Sequence, residues 1–375
     1  MIVEPQSASE GRLSYSAVSI SDVADAREVW NRLVDSCHDA WFWHTWTNMQ
    51  FNFVAAQKDE AQNLSFFVFR DGRPVGLVPL MVSRVQIGEV SAWEASYYGG
   101  PMPWPAFLPD LPDLEDADDF ALSELESRAC ASKAERIRLR LEPPLPLPDE
   151  QQRLSRVVTR HRYLDSSYVS HYLNLDGNTL ANVRERYRRY VKKFGSNYEL
   201  SVVDRDSVTP GLAESYFRLH VKDAGGQFRS RESYSRQVDL ARHGEALFVV
   251  ARNRQLNVIA GMLLVSVYKG AAYDNSVAVD PDFQSEYVSH LLKWRAIEEL
   301  LRRGACAYEL GPKSELPSFM SLPSEKNLGI SHFKEGWARA SFRKVVMAEK
   351  FLSARLLQAF MKTQTDSLER FFELG

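Results

Sequence analysis

The stretch Glu142-Pro143-Pro144-Leu145-Pro146-Leu147-Pro148-Asp149 constrains the fold more than any other part of the chain. Each proline lacks a backbone N–H and holds φ at about −65°, so the run cannot enter a helix interior or a central strand and stays extended. With 375 residues, there is enough chain on either side for a separate core. The run is therefore read as a boundary between a first domain, 1–145, and a second, 150–348, with 349–375 as C-terminal helices.

Both stretches carry a similar order of elements. In the first, Val23, Ala26, Val29, Trp30, Leu33, Val34 and Cys37 follow 3/4 spacing, which predicts an amphipathic helix over 21–37 capped by Ser21. A second helix is expected over 45–57. Strands over 64–70 and 74–82 flank Asp71-Gly72-Arg73, whose D-G pair supplies the positive φ of a tight hairpin. In the second stretch, helices are expected over 178–194 and 210–223, then strands over 246–252 and 258–268. A strand over 271–279, a helix over 284–303, a stop at Gly304 and a strand over 307–310 make a β-α-β unit. The fold class is α/β with mixed, partly antiparallel sheets in two similar domains.

The composition excludes a disordered chain, with 45% hydrophobic residues and 11% aromatic ones available for cores. A net charge of −3 excludes a chain-wide polyelectrolyte, so DNA is not an expected partner and any phosphate contact is local. Cys37, Cys130 and Cys306 are odd in number and far apart, which argues against a disulfide framework or a cysteine zinc site. The first residues lack a basic and apolar leader pattern, and no run of 18 apolar residues occurs, so no membrane span and a cytoplasmic location are expected. The eight histidines are dispersed and no metal is expected. The hydrolase, NTPase and dinucleotide fingerprints H-E-x-x-H, G-x-S-x-G, G-x-x-x-x-G-K-[ST] and G-x-G-x-x-G are also missing.

Two segments carry a family resemblance. The strand-to-helix junction Val279-Asp280-Pro281-Asp282-Phe283-Gln284-Ser285-Glu286-Tyr287-Val288-Ser289 resembles the central turn of the GNAT acyltransferases, Q/R-x-x-G-x-G/A, which cradles a pyrophosphate on backbone N–H groups. Gln284 holds the first position, while Tyr287 and Ser289 stand where the glycines would be. Farther on, Tyr308-Glu309-Leu310-Gly311 and Leu328-Gly329-Ile330-Ser331-His332-Phe333-Lys334-Glu335-Gly336-Trp337 resemble the end of the FemAB-like branch. The resemblance covers most of 167–350, and more loosely Trp46, 76–80 and 97–101 in the first half.

What this resemblance implies is two tandem GNAT-like domains that form an amide bond by moving an aminoacyl or acyl group to an amine. The donor it implies is aminoacyl-tRNA, favoured over acyl-CoA because the pyrophosphate turn lacks its glycines. The acceptor is the amine of a small molecule or a peptidoglycan precursor, and no cofactor beyond the donor is implied. The long helical arm of some cell-wall members has no room between Gly177 and Gly225, which keeps the small-molecule acceptor open. Aminolysis of an ester calls for oriented donors at the developing oxyanion and a neutral amine at attack distance.

Lys334 matches the family's F-K lysine and is expected to meet the oxyanion or the donor phosphate, with Phe333 beside it and Gly336 freeing the following turn. Tyr273, Asn275, Glu309, Gln284 and Arg229 are expected substrate contacts, Arg229 from a loop that follows Gly225-Gly226. On the helix around 184–193, Arg184, Arg188 and Lys192 share one stripe and Val183, Tyr187 and Val191 another, so one face packs and one presents charge. The charged stripe is the expected phosphate or tRNA contact. The aromatic cluster 41–46 reads chiefly as core, and the chain end as one or two amphipathic helices that return to the first domain.

Overall fold

The computed structural model describes residues 15–142, 150–314, 322–339 and 341–373. The prolines at 143–148 lie outside the described residues. The first half runs β1 (Tyr15–Ser19), α1 (Ala26–Ser36), α2 (Trp46–Ala55), β2 (Gln62–Asn63), β3 (Phe66–Arg70), β4 (Arg73–Val78), β5 (Met81–Ile87), β6 (Val90–Ala95), β7 (Met102–Pro103), β8 (Ala106–Phe107), α3 (Leu114–Ala131), β9 (Arg136–Arg140), α4 (Glu150–Arg160) and β10 (Leu164–Asp165). The second runs β11 (Tyr168–Asn174), α5 (Thr179–Asn182), α6 (Glu185–Phe194), β12 (Tyr198–Val203), α7 (Leu212–Ala224), α8 (Arg231–Arg242), β13 (Ala246–Asn253), β14 (Ile259–Tyr268), β15 (Ala271–Val279), α9 (Val288–Arg302), β16 (Ala307–Pro312), α10 (Glu325–Ala338) and β17 (Phe342–Val345). The chain then returns through β18 (Met347–Phe351) and α11 (Ala354–Glu373).

The D-G hairpin forms as expected. Arg70 pairs with Arg73 across the two-residue loop, and Asp71 and Gly72 both take positive φ, 49° and 78°. The strand expected over 74–82 is split, because β4 pairs with β3 whereas β5 pairs with β6 in another sheet, and the chain crosses at Pro79-Leu80. The helix expected over 178–194 is also split. Val183 is buried in the core and extended, and α6 starts afresh after Arg184.

A seven-stranded sheet in the order β12-β13-β14-β15-β16-β11-β17 organises the second half. One face packs against α6, α9 and α10 through Leu263, Leu291, Ile297, Tyr187 and Trp337; the other packs against α7 and α8 through Tyr216, Val238, Phe248 and Leu264. Trp41 and Phe42 of the first half join that second face, so the aromatic cluster is largely packing. The first half repeats the unit on a smaller scale. β6 and β9 pair in parallel over Glu94↔Arg136 and Ala95↔Ile137, and α3 connects them as α9 connects β15 to β16. Past that point β7 pairs with β9 and occupies the opening.

The chain keeps returning to the first core after the proline run. Leu154 and Val157 of α4 and Tyr163 are buried there, so the second sheet begins only at β11. At the chain end β18 pairs with β9 and β10, and the C-terminal segment contributes one strand and a single helix. No helix among the described residues is long and apolar enough to cross a membrane.

Candidate functional site

The site begins where two strands part. β15 and β16 are parallel from Ala271↔Ala307 to Tyr273↔Glu309 and pair no further. β15 continues with β14, while β16 continues with β11. A bulge at Leu264/Val265, where Ser276 and Asp274 face consecutive residues of β14, sharpens the bend of β15 at this point. The opening is covered by α10 and by the first turns of α9, enclosing a cleft of about 470 Å³ lined by Asp274, Val277, His290, Lys293, Phe333 and Lys334 among others.

Lys334 reaches the floor of this cleft from α10. Its Nζ lies against Gly311, where a Cβ would fall 2.8 Å away, so the bare glycine makes room for the amine. Gly311 has φ of 95°, a conformation that also favours glycine. Among the described residues Lys334 has no carboxylate partner. Burial draws its pKa below the ordinary lysine value; Asp274 opposes this and Lys293 adds to it. Phe333 turns its ring toward His290 at 5.0 Å and packs near Tyr187 and Trp337. Gly336 does not free a turn, since it lies inside α10, and its bare Cα faces the Tyr187 ring.

Beside Lys334 lies a buried network that the sequence reading did not include. Lys293 Nζ is 2.5 Å from Asp274 Oδ2 and donates to Tyr308 Oη at 2.9 Å, while Tyr308 Oη–H donates to Asp274 Oδ1 at 3.1 Å. A signal was available: Lys293 precedes Ala296, Ile297 and Leu300 at helical spacing and so sits on the buried stripe of α9. His290, three residues earlier, is buried and its pKa is pushed down to about 4 by burial, with Arg186 adding to the effect, so it is neutral at pH 7.

The cleft opens beside α6. Tyr287 begins α9 with φ of 56°, a glycine-like conformation at the position where the resembling turn carries its first glycine. Its ring stacks on Tyr190 of α6, with centroids 3.8 Å apart and planes 9° from parallel. Tyr187 is buried as expected, and Arg188 and Lys192 are exposed. Arg184 bonds Glu335 at 3.1 Å and His332 at 3.0 Å, tying α6 to α10. Gln284 is exposed at the mouth of the cleft.

The remaining expected contacts lie elsewhere. Glu309 is buried between the halves, where Arg140 Nη2 donates to its Oε2 at 2.7 Å and Ser170 Oγ to its Oε1 at 3.2 Å, so it faces no substrate space. The Arg140 guanidinium also lies 3.8 Å from the Trp43 ring centroid. Tyr273 packs edge-on to Trp43, and Asn275 donates to Ser266 and accepts from Gln237 of α8. Arg229 lies over the Tyr234 ring at 4.6 Å and 5.7 Å from Phe51 of the first half. These three sit on the α7–α8 side of β15, across the sheet from Lys334. Among the described residues, no group of three or more His, Cys, Asp or Glu is placed to hold a metal ion.

Residues 181–335 match the family model described as "Acetyltransferase (GNAT) domain". The second half of this protein carries a GNAT-type acyltransferase domain. The match spans the basic helix, the β15–β16 opening and α10 up to Glu335, so the cleft falls inside the matched domain. Over the whole chain the fold is FemAB-like, two GNAT-like units in tandem. It is similar to the crystal structure of FemX, with a TM-score of 0.62 at 14% identity over 90% of this chain and 98% of that one. It is similar to L-PGS from Bacillus licheniformis, with a TM-score of 0.56 at 13% identity over 92% and 96%. A tandem GNAT protein from the clavulanic acid biosynthesis pathway aligns with a TM-score of 0.50 at 14% identity over 91% and 99%. No curated protein sequence matches this chain significantly.

Proposed function

We propose that this acyltransferase moves an aminoacyl group from aminoacyl-tRNA to the amine of a small molecule or a cell-wall precursor, leaving it as an amide. The observation that carries the reading is Lys334, an amine without a carboxylate partner among the described residues, in a cleft that is also lined by Tyr287, whose ring stacks on Tyr190 of the basic helix α6. In the reaction the acceptor nitrogen bonds to the ester carbonyl carbon, the bond from that carbon to the ribose oxygen breaks, and one proton passes from the amine to that oxygen. Lys334 as ammonium donates to the oxyanion that forms between the two steps. Phe333 and the stacked Tyr190–Tyr287 rings offer flat apolar surface to the terminal base, and Arg188 and Lys192 offer charge to the phosphates beyond it. The likeness in fold to FemX and to L-PGS supports this reading over simple acetylation.

A second reading is favoured by one specific observation. The glycine-like backbone of Tyr287 at the start of α9 keeps the turn geometry that suits a pyrophosphate, so an acyl-CoA-dependent N-acyltransferase on a small amine is the alternative. Incubating the purified protein and an amine mixture with labelled aminoacyl-tRNAs and labelled acyl-CoAs separates the two. Consumption of the aminoacyl label supports the first reading, and consumption of the acyl-CoA label alone replaces it with the second.

A further inference from the structure

We infer that Lys293 is a positioning residue for the transfer: by holding Asp274, it leaves the Lys334 amine without a carboxylate partner among the described residues and able to meet the reacting carbonyl. The inference rests on the reading of Lys334 given above, and it assigns the neighbouring network a purpose of its own.

Asp274 is the carboxylate on β15 that faces the Lys334 cleft, and both of its oxygens are taken, one by Lys293 at 2.5 Å and one by Tyr308 at 3.1 Å. Lys293 is 4% exposed, and an ammonium so buried needs a counter-charge, which Asp274 supplies. Pairing Asp274 with Lys293 therefore satisfies a buried ammonium and occupies the carboxylate whose charge acts most on Lys334. Glu309, the carboxylate on β16, is engaged in the same way by Arg140 and Ser170. The groups that other elements bring do not substitute for them. On α9 His290 is neutral; on β11 His171 is bonded to Ser331; and on α10 itself Glu335 is held by Arg184 of α6 and lies beside His332. Lys326 of α10 lines the same cleft and Arg186 of α6 acts on His290 beside it, and neither brings an anion. Among the described residues each of these carboxylates is thus occupied by another cation.

The test measures Lys334 directly, by the pH dependence of its competitive labelling with acetic anhydride, read by mass spectrometry. In Lys293→Met the freed Asp274 turns to Lys334, and the labelling midpoint rises by about one pH unit or more. The alkaline shift appears equally in the pH profile of transfer, with little change in KM for the donor. Adding Asp274→Asn to that variant removes the anion and returns the midpoint to the wild-type value or below it. Lys293→Arg keeps the pair and the wild-type midpoint, and it serves where Lys293→Met does not fold. An unmoved midpoint in folded Lys293→Met, or a rise in Lys293→Arg, overturns the inference. The underlying reading fails separately, if Lys334→Met transfers at the wild-type rate whatever the labelling midpoints are.

Discussion

Gly336 sets its bare Cα against the Tyr187 ring, so close that a Cβ there would lie 2.1 Å from Tyr187 Cε2. This contact lets α10, which carries Lys334, lie flat on α6, which carries the basic face. Replacing a glycine inside a helix by alanine ordinarily stabilises by about 1 kcal/mol. Here the Cβ enters packed space, and overpacking costs about 1–3 kcal/mol. Gly336→Ala is therefore expected to lower the urea midpoint, and a higher midpoint would mean that Tyr187 gives way without strain.

Arg140 and Glu309 join the halves through a buried pair, with Glu309 only 1% exposed. Arg140→Met strands that carboxylate in a dry site and removes the guanidinium from the Trp43 face. The expected loss of unfolding free energy is about 3–5 kcal/mol. Arg140→Met combined with Glu309→Gln should recover a large part of it, which equilibrium denaturation measures as a coupling between the two sites.

His44 links folding to pH. Its ring is buried; Nε2–H donates to Trp104 O at 2.7 Å while Nδ1 accepts from Trp41 N–H at 3.0 Å. Burial pushes its pKa down to about 4, from an ordinary value of about 6.5. Between these values the unfolded chain binds the proton and the folded chain does not, so stability falls as pH drops from about 6.5 to about 4. At about 1.4 kcal/mol per unit, the loss from this group approaches roughly 3 kcal/mol. Denaturant melts across that range should show the decline, and a His44 variant that still folds should show it reduced.

On α6 the expected charged stripe divides. Replacing Arg188 and Lys192 by glutamine should weaken tRNA binding and lower the slope of log affinity against log salt by about 0.7–0.9 per charge. Arg184→Gln breaks the bond to Glu335 instead, and its expected effect is on the melting temperature. Filter binding at several salt concentrations separates the two. An unchanged slope for Arg188→Gln with Lys192→Gln would remove α6 from the donor path.

The local pattern made several of these features legible. Strand β15 spans the expected 271–279, because alternating and apolar residues between Gly270 and Pro281 leave little other choice. The D-G hairpin and the stop at Gly304, with φ of 72°, follow from backbone freedom that the residue types announce. Phe333 and Lys334 stand out in the sequence because a short motif carries them, and both line the cleft. What escaped was set by distant partners. Lys293 meets Asp274 across a helix–strand packing, and Arg140 meets Glu309 from the other half of the chain, pairings that no local window contains. Tyr287 hid its left-handed backbone for a related reason: the stack on Tyr190 supports a conformation that its side chain alone disfavours. Gly336 looked like a turn residue because its neighbour Tyr187 is 149 positions away.

The central claim is that acyl transfer runs through the cleft at Lys334. Lys334→Met keeps the length and apolar stem of the side chain and removes only the amine, so circular dichroism and the melting temperature should stay close to wild type. Single-turnover transfer from labelled aminoacyl-tRNA should then fall by about 10²–10³-fold, as expected for loss of one oxyanion donor. Transfer by the folded variant at the wild-type rate would contradict the account.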